Sequence, residues 1–249
     1  MSSNKESIGK TLGVVVGLCL VCAILVSTAA VQLRPLQAIN KAIDVQTNIL
    51  AAAGIEVKDG ADISALFSEN VEAKVVNMKT GKFVDTDPNS FDFEKSKFDQ
   101  KISIKLDKQT DIAGIQRMTK ESPVYFAKEN GKISTIILPV QGYGLWGVMF
   151  GFIALDVDTT TVKNINFYKH SETPGLGGEI QNPKWVATWA GKQLPVDIIK
   201  GYTGNEINKL DGLSGATLTS IGVDNTFKFW TGENGFGPFL AEVRKGALN

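Results

Sequence analysis

The chain has 249 residues, enough for one large domain or two small ones with ample core. Its 26 Lys and Arg are balanced by 26 Asp and Glu, so it lacks the basic excess that marks a nucleic-acid partner. A single histidine, His170, has no ligand cluster for a metal site and no second member for a catalytic triad.

Residues 1–10 form a short N-terminal segment, and the strongest physical signal follows at once. Thr11 to Leu33 is a run of 23 residues without a charge, bounded by Lys10 and Arg34. As a helix this run reaches about 34 Å, enough to cross a bilayer with slight tilt. A signal peptide has a shorter apolar core, of roughly 7–15 residues. Ser27-Thr28-Ala29-Ala30 resembles a cleavage site, yet an uncleaved anchor over 11–33 is the better reading. Orientation is nearly balanced, with Lys5 and Lys10 before the span and Arg34 and Lys41 after it. Cys19 and Cys22 have C-x-x-C spacing, but one membrane helix would have to make a site of them without other ligands.

Pro35 marks the exit, and Leu36, Ile39, Ile43 and Leu50 keep helical spacing until Gly54 stops the helix. Asp62 is placed to cap a short helix through Leu66 and Phe67. Alternation at Val71, Ala73 and Val75, then Lys79-Thr80-Gly81-Lys82, predicts a hairpin. The polar stretch 85–100, with Asp87-Pro88-Asn89-Ser90, divides a membrane-proximal α+β segment (34–100) from a C-terminal α+β domain (101–249). Within that domain 124–127, 133–140, 148–157 and 162–168 read as strands, with Asn130-Gly131 as a turn. Asn182-Pro183 then opens a helix with Trp185 and Trp189 on one face, closed by Gly191, and Pro195–Ile199 reads as a last strand. Strands grouped together with helices at both ends predict an α+β fold rather than a doubly wound sheet.

The stretch that organises the rest is Asp211-Gly212-Leu213-Ser214-Gly215-Ala216-Thr217-Leu218-Thr219-Ser220. A loop of small and hydroxylated residues runs into a helix whose buried face is Val223, Phe227 and Trp230. A helix N-terminus carries unpaired N–H groups and roughly half a positive charge, so it suits a phosphate. The plainer alternative is a cluster of helix-capping hydroxyls.

Asp211-x-x-Ser214-Gly215-Ala216-Thr217 resembles the flavinylation motif of the FMN-binding domain family. The N-terminal apolar span, the loop Ser171-Glu172-Thr173-Pro174-Gly175-Leu176-Gly177-Gly178 and the tail Gly235-Phe236-Gly237-Pro238-Phe239-Leu240 extend the resemblance over essentially the whole chain. It implies one transmembrane helix followed by a mixed α+β FMN-binding domain on the periplasmic side of a bacterial inner membrane. FMN is then expected as a phosphoester on Thr217, installed from FAD by a flavin transferase, with Asp211 aiding recognition or proton removal. The expected partners are the membrane and other subunits of a sodium-transporting NADH:quinone oxidoreductase complex, in which catalysis belongs to the assembly. A flavin ring also needs a slot with apolar walls and a few donors. Glu172, Thr173, Gly175, Leu176, Gly177 and Gly178 supply one side, and Trp146, in Gly142-Tyr143-Gly144-Leu145-Trp146-Gly147, supplies an aromatic. No Walker or dinucleotide fingerprint is present, so NADH is expected to bind elsewhere. Three rivals remain at this stage: the flavoprotein subunit of the related Rnf complex, an anchored binding module, and an anchored hydrolase with Ser214 as nucleophile.

Overall fold

The computed structural model describes residues 8–248. It divides into two compact units, one ending at Val45 and one running from Gln46. The first unit consists of helix α1 (Ile8–Ala52), whose last turns belong to the second. By length and composition α1 can cross a membrane. The helix continues through Pro35; proline there lacks the N–H that would meet the Val31 carbonyl, a local loss that the flanking turns tolerate. Cys19 and Cys22 are exposed on α1, and no metal-binding cluster of His, Cys, Asp and Glu occurs among the described residues.

The second unit opens with a well-defined stop. Ile55 N–H donates to Leu50 O at 2.9 Å and Gly54 N–H to Ala51 O at 3.1 Å, with Gly54 at φ 74°. This is the paired closure that a left-handed glycine permits. Asn164 and Asn166 donate side-chain N–H bonds to Ala51 O and Asn48 O, both at 3.0 Å, and so tie β8 to the last turn of the helix.

After α2 (Ile63–Asn70), capped by Asp62 as its sequence predicts, come β1 (Val71–Asn77) and β2 (Phe83–Val84). Short 3-10 turns at Pro88–Ser90 and Ser96–Phe98 lead to a small hairpin, β3 (Ser103–Lys105) with β4 (Arg117–Thr119). The long strands follow: β5 (Glu121–Glu129), β6 (Lys132–Tyr143), β7 (Val148–Asp156) and β8 (Val162–Lys169). All six main strands form one antiparallel sheet in the order β2-β1-β5-β6-β7-β8. β1, from the 34–100 stretch, pairs with β5, from the 101–249 stretch, from Val71↔Ala127 to Asn77↔Glu121. Asn130 and Gly131 both take positive φ (52° and 76°), the turn that suits a right-twisted hairpin.

Beyond the sheet lie α3 (Pro183–Ala187), the parallel pair β9 (Asp197–Ile199) and β10 (Lys209–Asp211), α4 (Thr217–Thr231) and α5 (Gly237–Arg244). α3 is shorter than the Trp185/Trp189 spacing predicts. The Thr188 hydroxyl donates to the Trp185 carbonyl at 2.6 Å, and the backbone tightens to i→i−3 bonds at Thr188 and Trp189. Trp189 is still fully buried, 4.8 Å from the Phe227 ring. The core joins Ile136, Leu138 and Val140 of β6 and Ile153 and Leu155 of β7 to Val223, Phe227 and Trp230 of α4. Gly142 makes this packing possible, since a Cβ there would collide with Thr226. The other sheet face carries Tyr125, Phe152 and Tyr168 in ring contact, with Phe67 of α2 against Tyr125, and burial pushes both tyrosine hydroxyls above their usual range.

Candidate functional site

The α4 helix begins where β10 ends, and the turn between them is built by its own hydroxyls. Gly215 takes φ 75°, so the loop doubles back before the helix. Ser220, one turn into α4, accepts the Leu213 N–H at 2.9 Å and donates to Ala216 O at 3.1 Å. Trp185 Nε1 donates to Asp211 O at 3.1 Å, and the Asp211 carboxylate accepts the Tyr202 N–H at 3.0 Å. Asp211 thus pins the base of the loop. Ala216 occupies the N-cap position and no side chain caps the helix. Its first-turn N–H groups therefore meet no capping oxygen, which leaves the positive end of the helix open.

The four hydroxyls of this stretch differ sharply. Thr219 and Ser220 are buried, and both are engaged in side-chain hydrogen bonds. Ser214 and Thr217 are exposed. Thr217 is the first residue of the helix, so its hydroxyl stands beside the uncapped N–H groups.

Two further loops meet this end of α4. The four-residue turn Gly144–Gly147 joins β6 to β7, closed by Gly144 N–H to Gly147 O at 2.8 Å. The 171–178 loop folds on itself through Leu176 N–H and Gly178 N–H, both bonded to Thr173 O, and enters a 3-10 turn at Gly177–Gln181. Glu172 links all three segments. Its Oε1 accepts Leu145 N–H at 3.0 Å and Trp146 N–H at 2.9 Å, and its Oε2 accepts the Thr219 hydroxyl at 2.5 Å. A Cβ built on Gly215 would lie 3.2 Å from Leu176 Cδ2, so the two glycine-rich loops touch. Trp146 (64 % exposed), Leu218 (57 %), Ile221 (48 %) and Leu176 (46 %) leave large apolar surface uncovered on these loops and the first turns of α4.

Thr173, Gly175 and Leu176 are exposed on the loop, whereas Glu172 and Gly177 are buried. A Cβ on Gly177 would meet Thr219 Oγ1 at 2.5 Å and Glu172 Oε2 at 2.6 Å, so its lack of a side chain serves the protein's own packing. Gly178 approaches Thr173 O in the same way, at 3.1 Å. His170 Nδ1 accepts the Glu172 N–H at 3.1 Å. Thr219 is the participant that sequence reasoning missed. Its only signal is its position two residues after Thr217, on the opposite side of the helix.

An uncapped helix start with an exposed hydroxyl suits a phosphate ester, and apolar loop surface beside it suits a flat ring. Residues 144–231, the span holding all three loops, match the family model described as "FMN-binding domain". The chain is 45% identical over 258 aligned positions, covering 100% of both sequences, to the C subunit of the Na(+)-translocating NADH-quinone reductase of Vibrio alginolyticus. The chain belongs to this family of C subunits. The similarly named protein of Vibrio vulnificus (strain YJ016) is 49% identical over 100% of both chains, and that of Pseudomonas aeruginosa 46% over 98% of this chain and 99% of its own. Among solved structures, Shewanella oneidensis NqrC superposes with a TM-score of 0.76 at 30% identity, over 81% of this chain and 97% of its own. The structure of the corresponding reductase protein from Parabacteroides distasonis gives 0.66 at 29%, over 84% and 96%. This chain is thus an α+β domain preceded by an apolar N-terminal helix, as its sequence predicts.

Proposed function

We propose that this chain is the membrane-anchored flavoprotein subunit of a sodium-translocating NADH–quinone reductase and carries FMN as a phosphoester on Thr217. The observation that carries the attachment point is the hydroxyl inventory: Thr217 is exposed at the first position of an uncapped helix, while Thr219 and Ser220 are buried and bonded. A flavin transferase installs the group when the Thr217 hydroxyl attacks the FMN-side phosphorus of FAD. The P–O bond to the AMP moiety breaks, AMP leaves, and the hydroxyl proton passes to a base. Bound FMN supplies the electron-carrying ring. The chain's residues hold the phosphate at the α4 N-terminus and border the ring with Trp146, Leu176, Leu218 and the 171–178 backbone. Electrons pass to and from neighbouring subunits, so this chain alone does not oxidise NADH. Helix α1 anchors it, with the domain that begins at Gln46 on the periplasmic side. Identity of 45% or more across full-length relatives of one name favours this complex over the Rnf rival.

The test is Thr217→Ala, expressed with the transferase and mapped by peptide mass spectrometry. Thr217 is exposed and does not cap the helix, so the exchange is expected to change stability by less than about 0.5 kcal/mol. Covalent flavin is expected to vanish from a chain that melts like the wild type. Flavin mapped to Ser214 in the wild type, or retained in the folded variant, overturns the assignment.

A further inference from the structure

The structure points to Glu172 as a positioning residue rather than a ligand of the flavin: we infer that its carboxylate is an internal clip that fixes the walls of the ring slot. The reading rests on the function proposed above. Both of its oxygens are taken by the protein. Oε1 accepts Leu145 N–H and Trp146 N–H, and Oε2 accepts the Thr219 hydroxyl. The side chain is buried at 4 % exposure, so little of it is left to meet a bound molecule. A carboxylate only accepts hydrogen bonds, and here three donors from two separate segments converge on one. The segments are the β6–β7 turn and the first turn of α4; Glu172 itself belongs to the third, the 171–178 loop.

Two glycines clear the space. A Cβ on Gly144 would stand 2.5 Å from Glu172 Oε1, and a Cβ on Gly177 would stand 2.6 Å from Oε2. The β6–β7 turn and Glu172's own loop thus each give up a side chain where the carboxylate sits. The residues left facing outward beside the clip are Trp146, Leu176 and Thr217, which the clip holds in fixed relation. The Leu145 and Trp146 N–H groups, turned inward to Glu172, fix the backbone that carries the exposed indole of Trp146.

The experiment uses the full-length chain in detergent, with and without the transferase, as wild type, Glu172→Gln, Glu172→Ala and Thr219→Val. Without transferase, hydrogen-exchange mass spectrometry follows the Leu145 and Trp146 amides. Glu172→Ala is expected to speed their exchange. Glu172→Gln is expected to keep it near wild type, because the amide oxygen still accepts both N–H groups and its NH₂ donates to Thr219. With transferase, Glu172→Ala is expected to keep flavin on Thr217 but lose most of its visible circular dichroism. The midpoint potential should move toward that of free FMN, with Glu172→Gln rescuing both signals. Unchanged amide exchange in Glu172→Ala overturns the clip, as does a Glu172→Gln variant as disturbed as Glu172→Ala, which would make charge the active property. Should Glu172→Ala not fold, Thr219→Val decides, since it removes one donor at nearly constant volume: a flavin signal identical to wild type overturns the proposal. A wild type without covalent flavin sinks the cofactor reading alone, because the amide-exchange arm needs no flavin.

Discussion

Four helices begin within the unit that starts at Gln46, and they begin in different ways. α2 and α3 are closed by their own side chains, Asp62 on the Ala65 N–H at 3.0 Å and Asn182 on the Lys184 N–H at 3.0 Å. α5 has no capping side chain, but the β1–β2 turn covers its start: a Cβ on Gly81 would stand 2.5 Å from Phe239 N. α4 has no capping side chain, and Thr217 and Leu218 at its start are exposed. Two helix starts are thus capped, a third lies under a neighbouring turn, and the fourth has no capping side chain. The donors of α2 and α3 serve stability. In the function proposed above, those of α4 hold a phosphate.

The comparison can be broken most forcefully at α5. Gly81 takes φ 70°, where an L side chain is strained, and its missing Cβ points at the backbone of Pro238 and Phe239. Gly81→Ala is expected to cost about 2–3 kcal/mol, from strain together with overpacking. A thermal melt measures it. The folded fraction should still take flavin on Thr217, because the α4 end is untouched. A melt unchanged from wild type would show that the β1–β2 turn does not cover α5.

The capped ends give a smaller and cleaner contrast. Asn182→Ala removes the one side chain that closes α3 and is expected to cost about 1 kcal/mol, read as a lower melting temperature. Covalent flavin per folded chain should not change. Thr217→Ala is the mirror case, with flavin lost and stability kept. If Asn182→Ala lost flavin in proportion, the separation of stabilising ends from the ligand-holding end would fail.

How far the sequence alone reaches follows from the range of each interaction. Local devices were legible: the Asn182-Pro183 start, the Asn130-Gly131 turn, the Gly54 stop, and the buried stripe of Val223, Phe227 and Trp230 all depend on residues within a few positions. The Glu172 clip joins positions 145, 146, 172 and 219, and no periodicity relates them. The glycines of the 171–178 loop looked free for a ligand, yet the structure spends Gly177 on Glu172 and Thr219. Asp211, adjacent in sequence to the hydroxylated run, turns its carboxylate away to Tyr202. Helix α1 passes through Pro35 because neighbouring turns on both sides carry it, a cooperative effect that one residue does not reveal.

The contrast between satisfied and open groups extends to two lysines, whose pH responses have opposite signs. Lys228 on α4 bonds Asp197 at 2.6 Å and Asp224 at 2.8 Å. Partial burial opposes its charge, but the two carboxylates outweigh this and hold its pKa above the usual lysine range. Its contribution is therefore full below the unfolded pKa and is lost as pH rises through the higher folded value. Lys97 is buried at 6 % exposure, with its Nζ 5.4 Å from the Phe98 ring centroid and 5.9 Å from that of Phe150. Burial lowers its pKa, only partly countered by Asp111. The folded state then binds this proton less tightly than the unfolded chain, so the penalty is full below the folded pKa and fades as pH rises toward the unfolded value of 10.5. Lys97→Met keeps the aliphatic stem and removes the charge, and is expected to stabilise by about 1 kcal/mol or less at neutral pH. Thermal melts of both chains from pH 7 to 10 should show the gain shrinking as pH rises. A gain that grows with pH, or a Lys97→Met chain less stable than wild type at pH 7, would mean that the ammonium is held by more than the two rings.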